Sequence, residues 1–267
     1  MEKVSVIIPT YNRGEKILAS VESVLQQTYR ELELLIVDDG SSDNTQEVVE
    51  AINDARIRYI RLDKNMGASA ARNEGAKHAL GDVISYNDSD DLWRPRKLEL
   101  QMKYKEEHPE YSMVYCAYEM HTPDGNVTVP NSGWNGEMEG DIFPWLLVRN
   151  TIGTPTMLMD RDCFLEVGGF DTSLRCLEDW EFAIRFAHKF KIGFIEESLV
   201  DAYYSPGGVS SVVGGYYETR CKMIAKYREQ MVEYGIFDKI VYDLFSRAEE
   251  RNILEPVKKM LMLYMSN

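Results

Sequence analysis

Short β-rich runs alternate with stretches whose apolar residues recur every three to four positions, and this alternation fills the first third of the chain. Val4-Ser5-Val6-Ile7-Ile8 stops at Pro9, which has no amide hydrogen to give a ladder, so a strand is predicted to end there. After the loop Pro9-Thr10-Tyr11-Asn12-Arg13-Gly14, residues Ile17, Leu18, Val21, Val24 and Leu25 fall on one face of a helix. Leu32 to Val37 repeats the strand signature and ends in Asp38-Asp39-Gly40-Ser41-Ser42-Asp43. Val48, Val49 and Ile52 mark the next helix, with Asp43 and Gln46 as its expected capping box. Ile57 to Leu62 is a third strand; Asn65-Met66-Gly67 then leads into a helix from Ala68 to Leu80, where Ala71, Gly75 and Ala79 form a ridge of small residues that can lie close to a sheet. A fourth run, Asp82 to Tyr86, ends in acids.

Three strand–helix repeats imply a mainly parallel, doubly wound α/β sheet, whose ligands bind at the carboxyl ends of the strands. Beyond Tyr86 the pattern becomes mixed. Pro95 sits where a first helical turn would begin, which predicts a charged surface helix over residues 95–107. Strands are expected at Ser112 to Glu119, near Thr156 to Met159, and over residues 193–204. Between them lie a Gly-rich loop with a Trp, Gly133 to Gly140, the turn Gly168-Gly169-Phe170-Asp171, and a helix marked by Trp180, Ala183, Ile184, Ala187 and Phe190. Glu178 and Asp179 stand at that helix's start. Pro206 to Ser211 is a Gly/Ser loop, either a plain connection or a flap over a ligand, and from about Tyr216 the chain reads as helical to Met265.

The chain has 267 residues, enough for one sizeable core, and its 44% hydrophobic and 28% charged content is that of an ordinary globular protein. A formal charge of −14 argues against a nucleic-acid partner, because binding phosphates needs clustered Lys and Arg. The charge is uneven. Residues 216–267 hold nine Lys plus Arg against eight Asp plus Glu, leaving −15 on the rest. Cys116, Cys163, Cys176 and Cys221 are scattered without a C-x-x-C pair, so reduced thiols are expected. With neither a leader pattern nor a run of about 20 apolar residues, the expectation is a cytoplasmic protein.

The acids carry the chemistry. Asp88 and Asp90 follow a strand and are separated by one residue, so in a turn both can face one hard cation such as Mg²⁺ or Mn²⁺. A solvated acidic turn is the bland alternative. Against it stand Pro9-Thr10-Tyr11, Asp38-Asp39 and Asn65, all at predicted strand ends and therefore walls of one site.

In order and spacing, Pro9-Thr10-Tyr11-Asn12-Arg13, Val37-Asp38-Asp39-Gly40-Ser41-Ser42-Asp43, Asn65-Met66-Gly67 with Ala71-Arg72-Asn73, Asp88-Ser89-Asp90-Asp91, Gly168-Gly169-Phe170-Asp171 and Glu178-Asp179-Trp180 resemble the family 2 glycosyltransferases of the GT-A fold. The match runs over roughly residues 3–213. It implies a nucleotide-sugar-binding α/β half (1–105), an acceptor-binding half with the catalytic base (106–215) and a helical C-terminal segment (216–267).

The resemblance further implies an inverting transferase that moves a sugar from a nucleotide-diphosphate donor, UDP-sugar first, to a hydroxyl of a glycan or lipid-linked glycan in surface-polysaccharide assembly. Thr10 and Tyr11, with Pro9, hold the base; Asp39 accepts from uracil N–H; Asn65 and Gly67 line the nucleotide; Arg72 meets the diphosphate. Asp88 touches ribose or metal beside Ser89, and Asp90 coordinates Mn²⁺ or Mg²⁺. Asp179 is the candidate base and Glu178 its orienting neighbour, with the two roles exchangeable.

There are two departures from the family. The segment Tyr203 to Gly208 lacks the His many relatives carry there, leaving Ser210 or water as substitutes, and Asn87 is polar where the family prefers an apolar residue. His78, His108, His121 and His188 fall outside the motifs. A receiver domain also ends a strand in paired acids, but after its first strand, whereas Asp38-Asp39 follows the second. A non-catalytic nucleotide-binding or scaffolding subunit of the same fold is the other alternative. The less acidic C-terminal segment, apolar at its end beside Lys258 and Lys259, is open to plain packing, a homodimer contact or a peripheral membrane contact.

Overall fold

The computed structural model describes residues 2–204 and 213–266. Its first half is built from β1 (Val4–Thr10), α1 (Ile17–Leu25), β2 (Leu32–Asp38), α2 (Thr45–Glu50), β3 (Ile57–Arg61), α3 (Ala68–His78) and β4 (Val83–Tyr86). Strands β3, β2, β1 and β4 lie side by side in that order, all parallel. The chain thus grows outward from β1 on one side and returns to its other side at β4. That reversal opens a crevice between the ends of β1 and β4, the place where open α/β sheets bind ligands.

Every residue of β1 and β2 is buried because helices cover both faces. Val6, Ile8, Leu34 and Ile36 pack with Val21 and Val24 of α1, while Ile7, Leu35 and Val37 pack with Ala71 and Ala76 of α3. The small-residue ridge serves that contact: a Cβ on Gly75 would come within 2.5 Å of Ile7 Cγ2. The capping box at α2 is not formed as expected. Asp43 Oδ1 does accept from the Thr45 amide at 3.0 Å, but Gln46 turns outward to Glu50 and Arg61 instead of reaching back.

The second half adds β5 (Leu92–Trp93), α4 (Lys97–Glu107), β6 (Tyr111–His121), β7 (Val127–Thr128), α5 (Phe143–Val148), a 3₁₀ turn (Thr154–Thr156), β8 (Leu158–Asp160), α6 (Arg161–Glu166), α7 (Glu178–Ala187) and β9 (Lys191–Tyr203). The sheet continues past β4 as β8, β6, β9 and β5, with β8 antiparallel to both neighbours and β6 parallel to β9. Helix α4 is not the plain surface helix its charges suggested. It buries Lys97, Leu98 and Gln101 completely, and the Lys97 ammonium lies 3.7 Å from the Trp93 ring centre and 2.8 Å from Gln101 Oε1.

Helices α8 (Val213–Lys226), α9 (Arg228–Glu233), α10 (Phe237–Glu250) and α11 (Leu254–Met265) pack through Tyr217, Cys221, Ile224, Leu244 and Leu261 into the same core as α7. The buried Glu181 of α7 ties them to the body, accepting from Lys226 Nζ at 2.6 Å and from Arg185 Nε at 2.8 Å. Against the upward push of burial, Arg185 and Lys226 hold its carboxyl below the usual range. No described helix is long and apolar enough to cross a membrane. All four cysteines are free, three of them buried.

Candidate active site

A cleft of about 790 Å³ opens at the carboxyl ends of the strands. Along it lie Pro9, Thr10, Tyr11, Asp39, Asn65, Gly67, Arg72, Asp88, Ser89, Asp90, Glu178 and Asp179, which the sequence had placed in four loops and one helix start. The structure brings them together.

The wall built from the ends of the first strands is a set of loops bolted to one another. Asn12 Oδ1 accepts from the Ser42 amide, the Asn12 amide donates to Ser41 Oγ, and the Gly14 amide donates to Asp43 Oδ2, so the first two strand-end loops form one wall. Asp38 points inward and belongs to the scaffold, accepting from Tyr59 Oη and, at 2.7 Å, from the Ser41 amide. Asp39 faces the cleft. Its two oxygens accept from the Met66 and Gly67 amides, each at 2.7 Å, which fixes the Asn65–Gly67 loop and leaves lone pairs for a ligand donor. Tyr11 is 44% exposed and offers a free ring face, whereas the Thr10 hydroxyl is buried without a partner.

Asn87, polar where an apolar residue was expected, has a use here. Fully buried, it donates to Ser20 Oγ at 3.0 Å and to the Asp91 carbonyl at 3.2 Å, while Ser20 Oγ donates to the Asp88 carbonyl at 2.8 Å. This network pins the acidic turn to α1. Asp91, which sequence reasoning left without a role, is buried and accepts from the Tyr203 amide at 3.0 Å. Burial, then Asp88, push its carboxyl up to about 8.

Asp88 and Asp90 both open onto the cleft, and Arg13 Nη2 lies 3.8 Å from Asp90 Oδ2. Arg72, expected at a diphosphate, lines the cleft and donates to two carboxylates, Asp88 Oδ1 at 2.7 Å and Glu178 Oε1 at 2.8 Å. Six carboxylates and two guanidiniums line the cleft. Asp91 and Asp179 are raised to about 8 and about 7, and the other four carboxylates still outnumber the two guanidiniums, so the cleft's charge favours a diphosphate accompanied by a cation. The all-oxygen donors Asp88 and Asp90 suit Mg²⁺ or Mn²⁺.

The opposite wall is the start of α7. Leu177, just before it, sits in the left-handed region at φ 59°, a conformation costing a non-glycine residue about 1–3 kcal/mol that tends to persist where function needs it. The turn Gly168 to Asp171 is docked on α3 by Asn73, whose side chain accepts from the Phe170 amide and donates to its carbonyl, both at 2.8 Å. Asp179 Oδ2 accepts from Asn150 Nδ2 at 3.3 Å, and Trp180 anchors the helix by donating Nε1–H to the Leu146 carbonyl. Burial, then the neighbouring Glu178, raise the Asp179 carboxyl to about 7, the range of a general base near neutrality.

Sequence reasoning missed Asn150, Leu177 and the tyrosines Tyr118, Tyr203, Tyr204 and Tyr216, which complete the cleft, and the buried Ser20 behind the acidic turn. Arg13 was visible within its motif but received no role. The Pro206–Ser211 loop, with Ser210, lies outside the described residues. His121 stacks on Tyr203 and lies 3.1 Å from Asp201 Oδ1. Glu119, His121 and Asp201 form a compact trio, but Arg94 already lies 2.8 Å from Glu119 and 2.9 Å from Asp201, so the acids have a cation.

A parallel half-sheet with a strand-end acidic turn, faced by an Asp on a helix start across a mixed half-sheet, is the GT-A arrangement of nucleotide-sugar glycosyltransferases. The model of the family described as "Glycosyl transferase family 2" matches residues 5–167, and the chain belongs to that family. It is 38% identical over 206 residues to an uncharacterized glycosyltransferase of Rickettsia felis, covering 77% of this chain and 33% of that one, so it spans about a third of such a relative's length. To the Escherichia coli UDP-Glc:alpha-D-GlcNAc-diphosphoundecaprenol beta-1,3-glucosyltransferase WfgD it is 44% identical over 117 residues, covering 44% of this chain and 46% of that one.

Among solved structures, Staphylococcus aureus TarS 1–349 in complex with UDP superposes with a TM-score of 0.68 at 24% identity, covering 92% of this chain and 71% of that one. The mannosyltransferase PcManGT of Pyrobaculum calidifontis, in complex with GDP-Man and Mn²⁺, gives 0.66 at 18% identity over 99% and 75%. The fold is thus GT-A. The receiver reading falls with it, since the acid pair follows the second of four parallel strands.

Proposed function

We propose that this chain is an inverting glycosyltransferase that moves a sugar from a nucleotide-diphosphate donor, UDP-sugar first, to a hydroxyl of a glycan or lipid-linked glycan in surface-polysaccharide assembly. The observation that carries the reading is Asp179, a carboxyl pushed to about 7 on the wall opposite Asp88 and Asp90. In this reading the base stacks on Tyr11, with Thr10 and Pro9 beside it, and Asp39 accepts from uracil N3–H. Asn65, Gly67 and Ser89 line the nucleotide, and Asp88 and Asp90 hold the cation. The acceptor hydroxyl gives its proton to the Asp179 carboxylate as its oxygen bonds the anomeric carbon, and the bond to the diphosphate breaks on the opposite face with its electron pair. A bound Mn²⁺ or Mg²⁺ would offset the charge on the leaving diphosphate. Glu178 orients the pair or contacts the acceptor.

The UDP-sugar and the lipid-diphosphate acceptor in WfgD's name, the UDP bound by TarS and the Mn²⁺ bound by PcManGT support these assignments. A calorimetric titration of UDP with Mn²⁺ and with EDTA tests the donor side. Affinity is expected to rise at least tenfold with the metal, and this linkage to vanish in Asp90→Ala; equal affinity in both conditions would remove the metal from the site. Transfer or slow hydrolysis of the bound UDP-sugar separates an enzyme from a binding subunit of the same fold.

A further inference from the structure

Arg72 is only 5% exposed, and its guanidinium is held between carboxylates from opposite walls. Nη2 donates to Asp88 Oδ1 at 2.7 Å on the donor side, and Nη1 donates to Glu178 Oε1 at 2.8 Å on the acceptor side. The Phe170 ring lies 5.5 Å from the guanidinium carbon, so the group rests on the same turn that Asn73 fastens to α3. Among the described residues, no other Lys or Arg pairs with Glu178.

A cation so placed could have one of two jobs. A phosphate contact presents donors toward the ligand, whereas a bridge uses its planar fork on protein groups, for which a rigid guanidinium suits better than an ammonium. In the structure Nη1 and Nη2 each donate to a carboxylate, and the buried Nε has no partner. Burying a guanidinium is costly unless it is paired, and here the two partners share its charge.

We infer that Arg72 is a positioning residue, a guanidinium bridge that locks Glu178 to the donor-side Asp88 and thereby sets the first turn of α7, with Asp179, at its place across the cleft. Consecutive residues of α3 then hold both approaches to the candidate base: Asn73 the turn before α7, Arg72 its first residue. The inference rests on the proposed transferase reading for its catalytic consequence, but not for the bridge itself.

The test is a double-mutant cycle with Arg72→Lys, Glu178→Gln and the pair, read in UDP affinity, in kcat and in ligand-free thermal unfolding. Lysine keeps the charge but cannot fork. The bridge predicts that Arg72→Lys binds UDP within about threefold of wild type, loses at least tenfold in kcat, and combines with Glu178→Gln to give no further loss, with the same non-additivity in Tm. A fall in UDP affinity matching the fall in kcat would make Arg72 a phosphate contact and overturn the bridge. Additive Tm losses overturn it whatever the activity. If wild type transfers no sugar, the transferase reading fails while the Tm cycle still decides the bridge.

Discussion

At the scale of single residues, environment separates the carboxylates of this chain. Asp54, outside the cleft and half-buried beside Arg56, is held down to about 2 by that guanidinium, whereas Asp179, buried beside Glu178 in the cleft, is pushed up to about 7. The folded state therefore binds a proton at Asp179 more tightly than the unfolded chain. Its contribution to stability is full below the ordinary carboxylate range near 4 and is lost as pH rises through about 7. For catalysis the sign is reversed, because only the ionised form can take a proton.

The rate of transfer should thus rise with pH and level off above about 7, with the acid limb following Asp179. Asp179→Asn should keep UDP-sugar binding while losing transfer roughly a hundredfold or more. A pH–rate profile and single-turnover transfer check both. If that variant transfers normally and Glu178→Gln is dead, the base is Glu178. Asp39 makes a second prediction. It holds the Met66 and Gly67 amides as well as the proposed uracil N–H, so Asp39→Ala should weaken UDP by about 1–3 kcal/mol, and wild type should bind CDP, which lacks that N–H, more weakly than UDP. Equal calorimetric affinities for UDP and CDP would confine Asp39 to its loop.

At the scale of elements, what was legible in the sequence is what local pattern encodes. The strands β1 to β4 and helices α1 to α3 could be placed because β-rich runs alternate with stretches of helical apolar spacing, and because Pro, Asp or Gly stands in the loops between them. The acids at those ends followed from the α/β rule that puts ligands there. Other features came only with tertiary structure. Asn87 became intelligible through Ser20, and Asp91 through the Tyr203 amide. The reach of Arg72 to Glu178 crosses 106 positions, which no periodicity reports. Helix α4 misled because Lys97 reads as surface charge, although its amine lies on Trp93 and bonds Gln101.

The turn before α7 shows how an element is held. Gly169, at φ +67°, has a position where a Cβ would meet Asn73 Oδ1 at 2.6 Å, whereas Gly168, at φ +88°, has open space around it. Gly169→Ala therefore combines left-handed strain with a damaged Asn73 bond and should cost about 2–3 kcal/mol, while Gly168→Ala carries the strain alone, about 1–2 kcal/mol. Denaturant melts of the two variants would show the difference. Equal losses would mean that Asn73 yields without cost.

At the scale of the whole molecule, the helical segment that sequence left between packing and contact does pack: Tyr217, Ile224 and Leu244 enter the core, Arg220 lies 4.1 Å from the Trp180 ring, and Glu181 accepts from Lys226. Removing it at about residue 215 would uncover that core, so truncation cannot test a surface role. The surface itself is uneven. Residues 216–267 carry +1 against −15 elsewhere, and α11 leaves Met262 and Leu263 at 67% and 61% exposure, with Lys258 and Lys259 one turn earlier. Apolar side chains with neighbouring lysines suit the headgroup region of an anionic bilayer, where a lipid-linked acceptor would be presented, and the acidic body would be repelled from the same surface. In this proposal α11 meets the membrane and orients the chain upon it. The full chain should float with vesicles containing anionic lipid, less so as salt rises, and Met262→Glu with Leu263→Glu should abolish flotation while leaving Tm within a few degrees, since neither side chain is buried. Light scattering separates the competing contact: a dimer mass lost in the same double variant, with flotation unchanged, would assign the patch to a second copy of the chain instead of to lipid.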